Sequence, residues 1–119
     1  MLFGNPGYED GDDDVPGDTY EAMQARLEQA QRELGAALSA LSAPVGVAWT
    51  AARRALPGVD LWSDDGIRPS DAGSYLTACV LYGALTERDP TAASYDAGLD
   101  PGVARQLRQI AAQTVRQTS

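Results

Sequence analysis

Met23, Leu27, Ala30, Leu34, Ala37 and Leu41 recur at spacings of 4, 3, 4, 3 and 4. This is the two-position seam of a helix, repeated over about two and a half heptads. Arg26, Glu28, Gln29, Gln31, Arg32 and Glu33 fall off the seam, as the wet face of such a helix requires. Val103, Leu107, Ile110 and Thr114 form a second seam at spacings of 4, 3 and 4. Between them, Val45, Ala48, Trp49, Ala52 and Leu56 mark another apolar stripe. Leu76, Cys79, Val80 and Gly83 mark a fourth. No pair of alternating strands competes with these patterns. The expected fold is all-α: a small four-helix bundle-like domain.

The helix ends follow from local chemistry. Asp18 with Glu21 three residues later reads as a capping box for the first helix, which is expected to stop near Ser42 or Ala43. Pro44 suits the first turn of the second helix, and Pro57-Gly58 ends it. Ser70 caps a third helix over 71–87. Asp89-Pro90 starts a short helical turn through Tyr95, Gly98 breaks it, and Asp100-Pro101 starts a last helix to about Gln117. The connecting stretch 57–70 is rich in turn residues. It also holds Val59, Leu61, Trp62 and Ile67, too apolar for a free linker. They are expected to pack onto the bundle or into a neighbour, with Trp62 as a contact candidate. The middle carboxylates Asp60, Asp64 and Asp65 read as turn formers, with Asp65-Gly66 the turn dipeptide.

Large apolar side chains are scarce. The 119 residues include 20 Ala against 12 Leu, 7 Val and 2 Ile. The core must be thin, and stability is expected to lean on a partner or on self-association. With no His and one Cys, a Cys/His zinc site and a His-dependent nucleophile are excluded. Cys79 reads as a buried small hydrophobe. No apolar run approaches the roughly 18–20 residues of a membrane span, so no membrane role is expected. The net charge of −8 argues against nucleic acid as a specific partner.

That charge is concentrated. Residues 1–21 hold seven acidic residues and no base, whereas residues 22–119 hold ten acids and nine Arg. The chain is thus read as an extended, irregular acidic arm over 1–17 followed by a helical domain over 18–119. Within the arm, Asp10, Asp12, Asp14, Asp18 and Glu21 fall at positions 1, 3, 5, 9 and 12 of an EF-hand-type calcium loop. Position six, where that loop needs Gly for a sharp turn, is Val15 ahead of Pro16, and no entering helix precedes Asp10. The reading is therefore of no metal site and no cofactor, with calcium as the alternative. The carboxylates Asp12, Asp13 and Asp14, flanked by Phe3 and Tyr8, are expected to form a docking strip for an Arg-lined groove on another copy or partner, with charge balancing within the chain as the alternative. Arg105, Arg108 and Arg116 on the last helix are the candidate receptor. Leu61 and Trp62 complete the expected contact set, and deletion of residues 1–17 is expected to spare the helices and abolish assembly.

The stretch Ala78 to Leu107, ACVLYGALTERDPTAASYDAGLDPGVARQL, resembles the C-terminal part of phage head–tail connector proteins, the small helical adaptors beneath the portal. The likeness lies in an Ala-rich helix carrying Leu81-Tyr82 and ending near Arg88. A short polar loop with a Ser follows, and Asp100-Pro101 opens the last helix. The acidic arm lies outside the shared pattern. The resemblance implies a helical bundle, no catalysis, side-to-side assembly into a homo-oligomeric ring, neighbouring assembly proteins as partners, arms that order on assembly, and a place in the virion. The function expected is therefore that of a non-enzymatic structural or adaptor protein. The alternative is a small cytoplasmic regulatory or inhibitory binding protein with an acidic docking arm, in one version calcium-responsive.

Overall fold

A computed structural model describes residues 2–3, 5–38 and 42–118. Its elements are β1 (Leu2–Phe3), α1 (Tyr20–Leu38), β2 (Ser42–Ala43), α2 (Val45–Ala55), α3 (Asp71–Thr86) and α4 (Pro101–Thr118), with a short 3-10 turn over Pro90–Ala92. The fold is all-α and bundle-like, as expected from the four seams. The strand pair is a small addition: β1 and β2 run parallel, with Leu2 opposite Ser42 and Phe3 opposite Ala43.

The core lies where α2, α3 and α4 meet. α3 and α4 share the most extensive packing, through Leu76, Val80, Ala104, Leu107 and Ala111, all deeply buried. The small residues let the backbones approach closely. At Gly73 a Cβ would run into the Leu61 carbonyl oxygen and lie 2.6 Å from Trp49 Cη2. At Gly46 a Cβ would collide with Gln24 Nε2 and lie 3.0 Å from the Asn5 carbonyl oxygen. A thin, Ala- and Gly-rich interior is thus filled by two indoles that need space cleared for them.

Several helix ends differ from the sequence reading. Thr19, not Asp18, caps α1: its Oγ1 accepts from the Ala22 amide at 3.1 Å. The Asp18 carboxylate is taken by Arg26 and by the Asp12 amide, so it cannot also serve the helix. α1 ends at Leu38 instead of near Ser42 or Ala43, because Ser42 and Ala43 pair with β1 and Ala43 is fully buried. The seam residue Leu41 lies outside the described residues. The turn at Pro90 stops at Ala92, since Ala93 is extended, and Tyr95 lies beyond it. The Ser70 and Asp100 caps form as expected. Ser70 Oγ accepts from the Gly73 amide at 3.1 Å, and Asp100 Oδ2 accepts from Gly102 and Val103 at 3.0 and 3.1 Å.

The seam of α1 is only half used. Tyr20 and Gln24 are buried and Met23 and Leu27 are half-buried, but Ala30 is exposed and Leu34 is 53% exposed. α1 joins the body by its first two turns and offers its later apolar face to solvent. The close approach at Gly73 gives a direct check on the core. Gly73→Ala is expected to destabilise the fold by about 1–3 kcal/mol in urea unfolding followed by tryptophan fluorescence, because neither Trp49 nor the Leu61 backbone has room to retreat.

Candidate functional site

Residues 5–9 of the arm lie against the body, and two buried hydrogen bonds hold Gly7 there, one on its N–H and one on its C=O. The Gly7 amide donates to Gln24 Oε1 at 2.7 Å, and the Trp62 indole Nε1 donates to the Gly7 carbonyl at 3.2 Å. Next to it the Tyr8 amide reaches Met23 Sδ at 3.2 Å, and the Glu9 amide donates to the Gly66 carbonyl at 2.8 Å. Burying backbone polar groups without partners would be costly, so Gln24 and Trp62 are what make this burial possible.

Trp62 is held on its other faces by rings. Tyr20 and Trp49 meet it edge-on, with centroids 5.4 and 5.2 Å away. The Tyr20 hydroxyl bonds to Thr50 Oγ1 at 2.8 Å, and the Arg53 guanidinium lies 4.6 Å from the Tyr20 ring centre. Trp62 and Leu61 are therefore interior residues, 5% and 1% exposed. Offered as partner-facing in the sequence reading, they instead close the chain's own core. The Asp60 carboxylate accepts the Trp62 amide at 3.0 Å and so turns this loop inward.

The remaining expected contact residues are scattered. Phe3 is paired through β1, and Tyr8 is half-buried beside α1. Asp13 and Asp14 are exposed, whereas Asp12 is half-buried and its Oδ1 accepts the Asp14 amide at 2.9 Å. On α4, Arg105 and Arg116 are exposed. Arg108 is turned inward, donating to the Tyr75 hydroxyl and to Asp96 Oδ1, both at 2.9 Å. The Tyr75 hydroxyl in turn donates to the Tyr95 carbonyl at 2.5 Å, so Arg108 pins the 93–99 segment to α3 and is not a free receptor for the arm. Among the described residues no ion pair joins the arm to α4. The arm lies on α1 and the 57–70 loop.

The carboxylates of the calcium pattern do not converge. Asp18 binds Arg26 through two bonds of 2.8 Å, and Glu21 binds Arg53 at 2.8 Å across to α2. Among the described residues no three acidic or thiol groups come together as a metal site would need. Asp65, read as a turn former, does that work: its carboxylate accepts from the amides of Ile67 and Arg68 at 2.9 Å and from Arg68 Nε at 2.7 Å. Cys79 is buried, and burial pushes its thiol pKa up.

An open apolar cleft of about 540 Å³ runs between the arm, α1, the 57–70 loop and α3. Its walls are Tyr8, Met23, Leu27, Ile67, Ala78 and Leu81. Trp49 forms part of its lining, its Nε1 donating to Thr77 Oγ1 at 3.0 Å. The apolar surface continues beyond the cleft. Leu34 lies one heptad past Leu27 on α1, while Tyr82 and Leu85, 40% and 64% exposed, follow Leu81 on α3. The half-buried α1 seam was visible in the spacing, but which half would stay open was not. Comparison with protein-family models, with curated proteins and with solved structures finds no match. Among the described residues no helix is long and apolar enough to cross a membrane.

Asp18 carries a pH signature. Its hydrogen bonds from Arg26 hold the carboxyl well below the ordinary carboxylate range. A depressed native pKa contributes stability above the unfolded value of about 3.9 and loses it as pH falls through the native one. Asp18→Asn is therefore expected to lower the urea midpoint at pH 7. The gap to the native sequence should shrink progressively below about pH 4. A gap that stays constant from pH 7 to pH 2 would show that the Asp18 charge does not hold the arm.

Proposed function

We propose that the protein is a non-enzymatic structural or adaptor protein that acts by assembling with protein partners, its own copies included. The observation that carries this reading is the apolar surface left uncovered along α1 and α3. A continuous apolar strip bordered by polar side chains is the usual mark of an interaction surface in a small protein. It runs from Met23 and Leu27 to Leu34 on one wall and from Ala78 and Leu81 to Leu85 on the other. The thin core supports the same reading, since covering this strip would add apolar burial that the chain cannot supply alone. The exposed Asp13, Asp14 and Arg105 are charged groups that a partner can use for orientation.

The resemblance of residues 78–107 to phage head–tail connectors gives this role a setting, as a ring component of a virion among other assembly proteins. Because Gly7 is built into the core, deleting residues 1–17 would remove partners of Gln24 and Trp62 and disturb the fold itself. The test is therefore a surface substitution. Native mass spectrometry is expected to show species heavier than the 12.5 kDa chain. Tyr82→Asp with Leu85→Asp, both exposed, is expected to shift them toward single chains, with the circular dichroism of the helices retained. A wild-type mass of one chain, alone and with candidate virion proteins, would remove the reading.

A further inference from the structure

The open face of α1 combines an apolar seam with a reciprocal charge pattern. Leu27 and Leu34 take one seam position of the heptad, and Met23 and Ala30 take the other. In the fold, Met23 and Leu27 are half-buried, whereas Ala30 and Leu34 are exposed. One flank, carrying Gln24 and Gln31, is covered: Gln24 is buried against the arm, and Gln31 Nε2 reaches the Ala43 carbonyl at 3.4 Å. The other flank carries Arg26 and Glu33, both exposed and one heptad apart. Arg26 spends Nη1 and Nη2 on Asp18, and its side chain remains 50% exposed. Glu33 has no ion-pair partner among the described residues; its Oε1 accepts only from Gln29 Nε2, at 2.7 Å.

We infer that the occupant of the cleft is the α1 helix of a second copy, laid antiparallel against the first. In an antiparallel helix pair, residues of one seam position meet residues of the other, and each outer flank meets its own counterpart. That alignment sets Met23 against Leu34 of the second copy and Leu27 against its Ala30. The same alignment sets Arg26 against Glu33, and by the two-fold symmetry Glu33 against Arg26. Both seam layers and both ion pairs are satisfied at one register. A parallel alignment sets Arg26 opposite the uncharged Gln31 instead and forms no ion pair there. The second wall of the cleft, Ala78 and Leu81 on α3, would cover the incoming helix from the other side. The contact is isologous and closes on itself as a dimer, so a ring built from such pairs would need a further surface.

This inference rests on the self-assembly reading and is tested by charge exchange. The native mass of the full chain is measured at roughly 100 μM, a concentration that populates a dimer of micromolar affinity. The unmodified protein is expected to be dimeric. Glu33→Arg, which leaves every ion pair within the chain in place, is expected to weaken the dimer at least about tenfold, because it sets Arg against Arg. Arg26→Glu is expected to weaken it similarly. Mixing Glu33→Arg with Arg26→Glu in equal amounts is expected to restore a heterodimer, since each Arg then meets a Glu. Circular dichroism of each variant establishes that it is folded; if Arg26→Glu is not, Glu33→Arg alone decides. An assembly whose mass Glu33→Arg leaves unchanged overturns the α1 pairing while leaving self-assembly intact. Two folded variants that stay apart on mixing also overturn it. A single-chain mass for the unmodified protein overturns both readings.

Discussion

The Trp62 indole sits where three parts of the chain meet. Its N–H is spent on the Gly7 carbonyl of the arm, and its ring faces meet Tyr20 of α1 and Trp49 of α2. Each edge-to-face contact contributes about 0.5–1.5 kcal/mol beyond burial. The larger effect is topological: this one side chain touches the arm, α1 and α2 at once. The other large packing event, α3 on α4, is made of Leu, Val and Ala. It needs no such device, because two long amphipathic helices bury a continuous strip between them.

Polar closure explains why the arm is held despite its composition. A segment with four Gly, two Pro and a run of Asp cannot offset its ordering entropy by apolar burial. Here two side chains from the body supply the missing partners of the buried Gly7 N–H and C=O, and the charges are kept outside the core. Asp18 turns back on Arg26, and Glu21 bridges to Arg53. The acidity of the first 21 residues is then partly spent within the chain, leaving Asp10, Asp13 and Asp14 of the arm at the surface.

Much of this was legible in the residue order. Heptad spacing located α1 and α4, and the Ser70 and Asp100 caps set the starts of α3 and α4, because these signals are local. The fate of the 57–70 loop was only half legible. Its apolar residues had to be covered, but whether by this chain or another depends on a contact with Gly7, 55 residues away from Trp62. No local pattern encodes such a pairing. Arg108 misled for the same reason: an Arg on the outer edge of a seam reads as solvent-facing, and only the fold brings Tyr75 and Asp96 to it. Gln24 carried no signal beyond lying beside the α1 seam, since a buried amide is recognised by the backbone it satisfies. The cleft could not be read because it is what remains when α1 packs by only its first two turns.

The uncovered strip follows from that architecture. α1 packs by Tyr20, Glu21 and Gln24 on the arm and α2, and its seam is left open at Ala30 and Leu34. The arm's seat in the core is thus the premise of everything said about the cleft. Amide hydrogen exchange at Gly7 tests it most directly. The account predicts that this amide, bonded to Gln24 and sealed by Trp62, exchanges as slowly as core amides such as that of Val80. Exchange at Gly7 as fast as at the exposed Asp13 and Asp14 would contradict it, for the arm would then spend much of its time off the body.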